Sequence, residues 1–138
     1  MGYSVKQNKI SKAYAKAGGK PSYMLYIFRN GDTNQYKIGI TKDLNKRYTA
    51  VQTGCPGELQ IVKLYSAPIM LEAETYEKAL HKYFKNKKTR KGMQGGEWFT
   101  LTKEDIQLLC EPSTLEEQRT LIGALALEAY KGGGANEV

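Results

Sequence analysis

The sequence predicts a small α/β sandwich built on an antiparallel sheet. Two apolar, aromatic runs, Tyr23–Arg29 and Gln35–Thr41, flank the turn signal Asn30-Gly31-Asp32, which is the pattern of a hairpin. Apolar residues then recur at helical spacing, first at Leu44, Tyr48 and Val51, later at Ala73, Tyr76, Leu80, Tyr83 and Phe84. A chain of 138 residues, 41% hydrophobic and 25% charged, is one domain's worth and long enough to bury a core.

Each element has its own reason. Residues 1–21 are rich in Lys, Ser and Gly and read as a basic flexible arm, with a short helix around Ser11–Lys16. Tyr23–Arg29 is apolar on both parities, as suits a strand covered on both faces. Thr41 and Asp43 can cap a helix that runs to Thr53, and Gly54-Cys55-Pro56-Gly57 ends it. Glu58–Tyr65 is a third strand whose alternation, Leu59, Ile61 and Leu64, is less regular. Ala67-Pro68 breaks the chain before a helix over Met70–Lys85. A basic loop, Lys87–Gly96, leads to a short extended segment, Glu97–Thr100. Thr102 caps a small helix to Leu109. The segment 111–131 holds a last helix, begun at Ser113 or Thr114, each with a glutamate three residues on. Residues 132–138 read as a disordered tail.

Composition excludes several classes. No apolar run approaches the roughly 18 residues of a membrane span, and the N-terminus shows no apolar signal region. Cys55 and Cys110 stand far apart without a CxxC partner, which speaks against a zinc site or a disulfide scaffold. The chain reads as soluble and intracellular, with no membrane partner. Its net charge is +7, unevenly placed: +11 over residues 1–100 and −4 over 101–138. Lys6, Lys9, Lys12, Lys16 and Lys20 form one basic cluster. Lys82, Lys85, Lys87, Lys88, Arg90 and Lys91 form another, the candidate nucleic-acid contact. Phosphate backbones suit such a footprint, and a solvated surface is the plain alternative.

Some residues stand out of place. Glu77 lies four residues after Ala73 and three before Leu80, at the margin of an apolar helix face. An inward carboxylate must be paired, protonated or bound to a metal. His81, the only histidine, follows one turn later and is a candidate for proton transfer or phosphate contact. Arg47 borders the Leu44/Tyr48/Val51 stripe, where it either snorkels or aims its guanidinium at phosphate. Gly39 weakens its strand, which suggests that another backbone or a ligand approaches closely, with Lys37 beside the opening. Tyr26, flanked by apolar residues, needs a partner for its hydroxyl.

These residues fall in an order that resembles the GIY-YIG endonuclease superfamily. Leu25-Tyr26-Ile27 looks like its first motif strand, and Tyr36-Lys37-Ile38-Gly39-Ile40-Thr41 like its second. Asp43-Leu44-Asn45-Lys46-Arg47 is similar to the segment carrying the family arginine, and Glu77-Lys78-Ala79-Leu80-His81 to the helix bearing the metal-binding glutamate. Glu-x-x-x-His followed by Gly96-Glu97-Trp98-Phe99 is similar to a phage and bacterial branch. The resemblance implies a domain over 22–110 with a central three-stranded antiparallel sheet flanked by helices, plus C-terminal helices. It also implies single-metal phosphodiester hydrolysis of DNA in a bacterial or phage-infected cytoplasm. Glu77 would bind Mg²⁺ or Mn²⁺, Arg47 would stabilise the transition state, and Tyr26 with Lys37 would activate water. The sequence departs from the pattern at Met24, at Val51 and at Lys37, which replaces the second motif tyrosine; His81 would take over a proton-transfer role. Glu97 either joins the site or pairs with the basic loop.

Two other functions stay open. One is a non-catalytic nucleic-acid-binding module on the same fold. The other is a protein-interaction factor acting through Leu115, Ile122, Leu125, Ala126 and Ala129 of the last helix, a stripe that either packs on the domain or makes a homodimer contact.

Overall fold

Five consecutive side chains from Met24 to Phe28 are buried, so the strand that carries them must be covered on both faces. That strand, β1 (Tyr23–Asn30), lies near the centre of the sheet in a computed structural model that describes residues 4–89 and 98–135. It pairs on one side with β2 (Gln35–Thr41) and on the other with β3 (Leu59–Ala67). The expected three-stranded core is thus present. A fourth short strand, β4 (Trp98–Thr100), extends it along β2, giving the all-antiparallel order β3-β1-β2-β4.

The uneven alternation of β3 has a structural cause. The register slips between Ile27, opposite Lys63, and Phe28, opposite Ile61, which is a β-bulge. Ile61 and Leu64, three residues apart, therefore pack on the same cluster.

Helices cover the two faces separately. On one face α1 (Val5–Lys16) and α2 (Leu44–Thr53) bring Ile10, Leu44 and Tyr48 against Met24, Tyr26 and Phe28. On the other, α3 (Met70–Tyr83), α4 (Lys103–Cys110) and α5 (Leu115–Tyr130) bury Ala73, Leu80, Leu109 and Ile122 against Leu25, Ile27, Ile38 and Tyr65. The Tyr65 hydroxyl donates to the Leu109 carbonyl at 2.6 Å, and burial pushes its phenol well above the usual range. The stripe on α5 is covered by α3, and Arg119 clamps Glu72 through two hydrogen bonds of 2.6 and 2.9 Å. Among the described residues no helix is long and apolar enough to cross a membrane.

Three expectations change. The flexible arm contains a docked helix, α1, which starts at Val5 rather than near Ser11. Ser4 and Gln7 form a reciprocal capping box, Ile10 is buried, and Lys9 Nζ donates to the Leu59 carbonyl at 2.6 Å. The helix predicted to reach Lys85 ends at Tyr83 and passes into a single 3₁₀ turn, Lys85–Lys87. The start of the predicted tail is packed: Ala135 is buried, and its N–H donates to the Tyr83 carbonyl at 2.9 Å, closing the end of α3.

Candidate functional site

Hairpin register decides which candidates meet. Tyr26 lies opposite Gly39 and Phe28 opposite Lys37, so Tyr26, Lys37, Gly39 and Thr41 share the face beneath α2. Tyr26 is only 2% exposed and stacks on Phe28 at 4.2 Å between ring centroids. Its ring crosses directly over Gly39: a Cβ there would lie 2.3 Å from the hydroxyl oxygen. What approaches the strand glycine is therefore a side chain of the neighbouring strand, not a backbone or ligand. Lys37 extends along the same face with Nζ 5.9 Å from the Trp98 ring centre, its cross-strand neighbour on β4. Tyr36, one residue earlier, turns into the opposite core, as alternation requires.

α3 reaches β2 from the other layer. β4 stops pairing at Lys37, and the next carbonyl of β2, that of Ile38, is taken by His81 Nε2 at 2.7 Å. A carbonyl only accepts, so Nε2 carries the proton and Nδ1 is the ring atom left for proton exchange. His81 also leans on Phe99, with ring centroids 5.1 Å apart. Glu77, half-buried, stands about one turn earlier on the same helix, about 6 Å along its axis. α3 begins three residues after Ala67, which shares its end of the sheet with Tyr23 and Thr41. Glu77 therefore lies nearer the Thr41 end of β2 than His81 does. None of Tyr26, Lys37 and Glu77 is without a partner.

α2 starts at that same end. The Thr41 hydroxyl accepts from the Asp43 N–H at 3.0 Å, and Asp43 Oδ1 caps the helix through the Lys46 N–H at 3.1 Å. Arg47, one turn in, is exposed, while Leu44 and Tyr48 beside it are buried and Val51 is half-buried. Met24 is core.

The basic cluster after α3 is not uniform. Lys82, Lys85 and Lys88 are exposed. Lys87 is not a free phosphate contact: its Nζ lies 2.6 Å from Asp105 Oδ2, with side chains 8% and 13% exposed. Asp105 is at the same time the reciprocal member of the α4 capping box. Arg90, Lys91 and Glu97 lie outside the described residues. Among the described residues no group of three His, Cys, Asp or Glu side chains could hold a metal ion. A single half-buried carboxylate, Glu77, still fits a magnesium ion, which keeps much of its shell as water and substrate phosphate.

Trp98 is the supporting residue that sequence reasoning underused. Its aromatic ring, in a short strand-like segment, is the local signal for a cross-strand partner of Lys37. A family model described as the T5orf172 domain matches residues 23–111, from β1 to the end of α4. That domain is phage-associated and fits a nuclease-like grouping loosely. Neither the curated proteins nor the solved structures compared with the chain gave a match.

Proposed function

The chain belongs to the T5orf172 domain family, and from that premise we propose that it is a DNA endonuclease of GIY-YIG type, acting through one divalent metal ion. One observation carries this reading: consecutive residues of β2 collect the candidates from both layers. The Tyr26 hydroxyl sits over Gly39, and His81 holds the carbonyl of Ile38 and brings α3 with Glu77 to the same strand.

Glu77 would hold Mg²⁺ or Mn²⁺, which when bound supplies positive charge at the scissile phosphate. The chain's own groups would do the rest. Water attacks phosphorus, the bond to the leaving oxygen breaks, and the water proton passes to the Tyr26 phenolate oxygen. A phenol ionises near pH 10 in water, so a base at neutral pH needs a cation on its face, the part assigned to Lys37. Arg47, exposed on α2, offsets charge on the pentacovalent phosphate. His81 keeps its Nε2 proton on Ile38, enters the step protonated at Nδ1 as well and gives that proton to the leaving oxygen; solvent then restores the Nδ1 proton and takes up the one left on Tyr26. Lys82, Lys85 and Lys88 add affinity without reading bases.

The near-complete burial of Tyr26 favours a second reading, a binding module that has kept the fold without cleavage. Plasmid nicking in Mg²⁺ separates the two. Wild-type protein is expected to nick supercoiled DNA, and Glu77→Gln to lose about a hundredfold or more while still binding. Equal nicking by both proteins would remove the metal role of Glu77. Binding by both without cutting would establish the module.

A further inference from the structure

We propose that the groove between α1 and the outer edge of β3 is a phosphate-binding track that grips a second stretch of the nucleic acid engaged at β2. The groove has a volume of about 550 Å³, and no acidic residue among the described ones lines it. Lys9, Lys12 and Lys16 enter it from one face of α1, Lys63 from β3, and Cys110 from the end of α4. Lys9 is tied to the Leu59 carbonyl and to Glu58, which fixes the wall. Lys12 and Lys16 are exposed and stand one helical turn apart, a spacing at which like charges repel. Lys63 is held by the Pro112 carbonyl; burial is the main cause that lowers its ammonium, Cys110 and Glu117 oppose that shift, and Lys16 adds to it. An anion lying between α1 and β3 relieves the repulsion between Lys12 and Lys16.

Placement points to the same ligand. Ile61, which lines the groove, is opposite Phe28, which is opposite Lys37. The groove thus lies two strand spacings, about 10 Å, from Lys37 on one crosswise row. From Lys9 to Lys16 the helix rises about 10 Å, the axial length of roughly three phosphates on one strand of duplex. An edge strand guarded by lysines is a known defence against strand pairing, and a solvated guard would leave the groove empty.

This inference rests on the nucleic-acid reading, and the experiment separates the two. Cys110 is exposed in the groove and Cys55 is buried, so thiol alkylation of the full chain reports on the groove itself. Binding of a fluorescein-labelled mixed-sequence DNA duplex is followed by anisotropy across a salt series. The proteins compared are wild type, Lys12→Gln/Lys16→Gln and, outside the groove, Lys82→Gln/Lys85→Gln. The groove variant is expected to lower the salt slope by about 2, one unit for each lysine. DNA is expected to slow Cys110 alkylation several-fold in wild type and not in the groove variant. Equal slopes with equal alkylation rates, while DNA still binds, overturn the groove and leave the nucleic-acid reading standing. Failure of the duplex to bind wild type overturns both. Protection of Cys110 by an acidic peptide but not by DNA overturns the phosphate track in favour of strand addition at β3.

Discussion

Asp105→Ala is expected to destabilise the fold by about 3 kcal/mol, at the lower end of what breaking a buried ion pair costs. The carboxylate performs two tasks. One oxygen, Oδ2, meets Lys87 Nζ at 2.6 Å and accepts the Thr102 N–H at 2.9 Å. Its removal leaves an ammonium at 8% side-chain exposure without its counter-charge and opens the first turn of α4. Urea unfolding reads the result as a lower midpoint at unchanged slope. Replacing both partners, Asp105→Ala with Lys87→Met, should recover much of the loss, because no charge is then stranded. A single-variant cost under about 1 kcal/mol would show that water already screens the pair.

Gly39→Ala carries a comparable penalty, about 3 kcal/mol, for the opposite reason: it adds matter where there is none to spare. The new methyl would stand 2.3 Å from the Tyr26 hydroxyl oxygen and 2.5 Å from the ring carbon bearing it. The ring cannot swing aside freely, since Phe28 stacks on it at 4.2 Å. A double-mutant cycle isolates this contact. In a Tyr26→Ala background, itself costing about 3–5 kcal/mol, Gly39→Ala should become neutral or slightly stabilising, because glycine is a poor strand residue. Additivity within about 0.5 kcal/mol would mean that the two positions do not collide. On the endonuclease reading, Gly39→Ala should also abolish nicking, since the displaced phenol leaves its place beside Lys37.

Much of this architecture was legible in the residues. Asn30-Gly31-Asp32 marked the hairpin, Asp43 and Thr102 marked helix starts, and the wheel position of Glu77 anticipated its half-buried setting. What stayed hidden was set by pairing between distant residues. Alternation assigned Gly39 and Lys37 to one face, but only the register puts Tyr26 over Gly39. Lys87 counted as one more surface cation because its partner lies 18 positions away on another helix. The abundance of lysine in the first twenty residues masked the Ser4/Gln7 box, although that signature is local and could have been read. The approach of Lys16 to Lys63 depends on how α1 docks, which no local pattern encodes.

The docking of α1 and α5 also bears on how the protein can be cut. The family match spans 23–111, yet Ile10 from α1 and Ile122 and Leu125 from α5 complete the two cores. Trimming to the matched boundaries would strip a lid from each side of the sheet at once. The excised piece should be recovered in aggregates, and dissection of this protein succeeds only with both flanking helices retained.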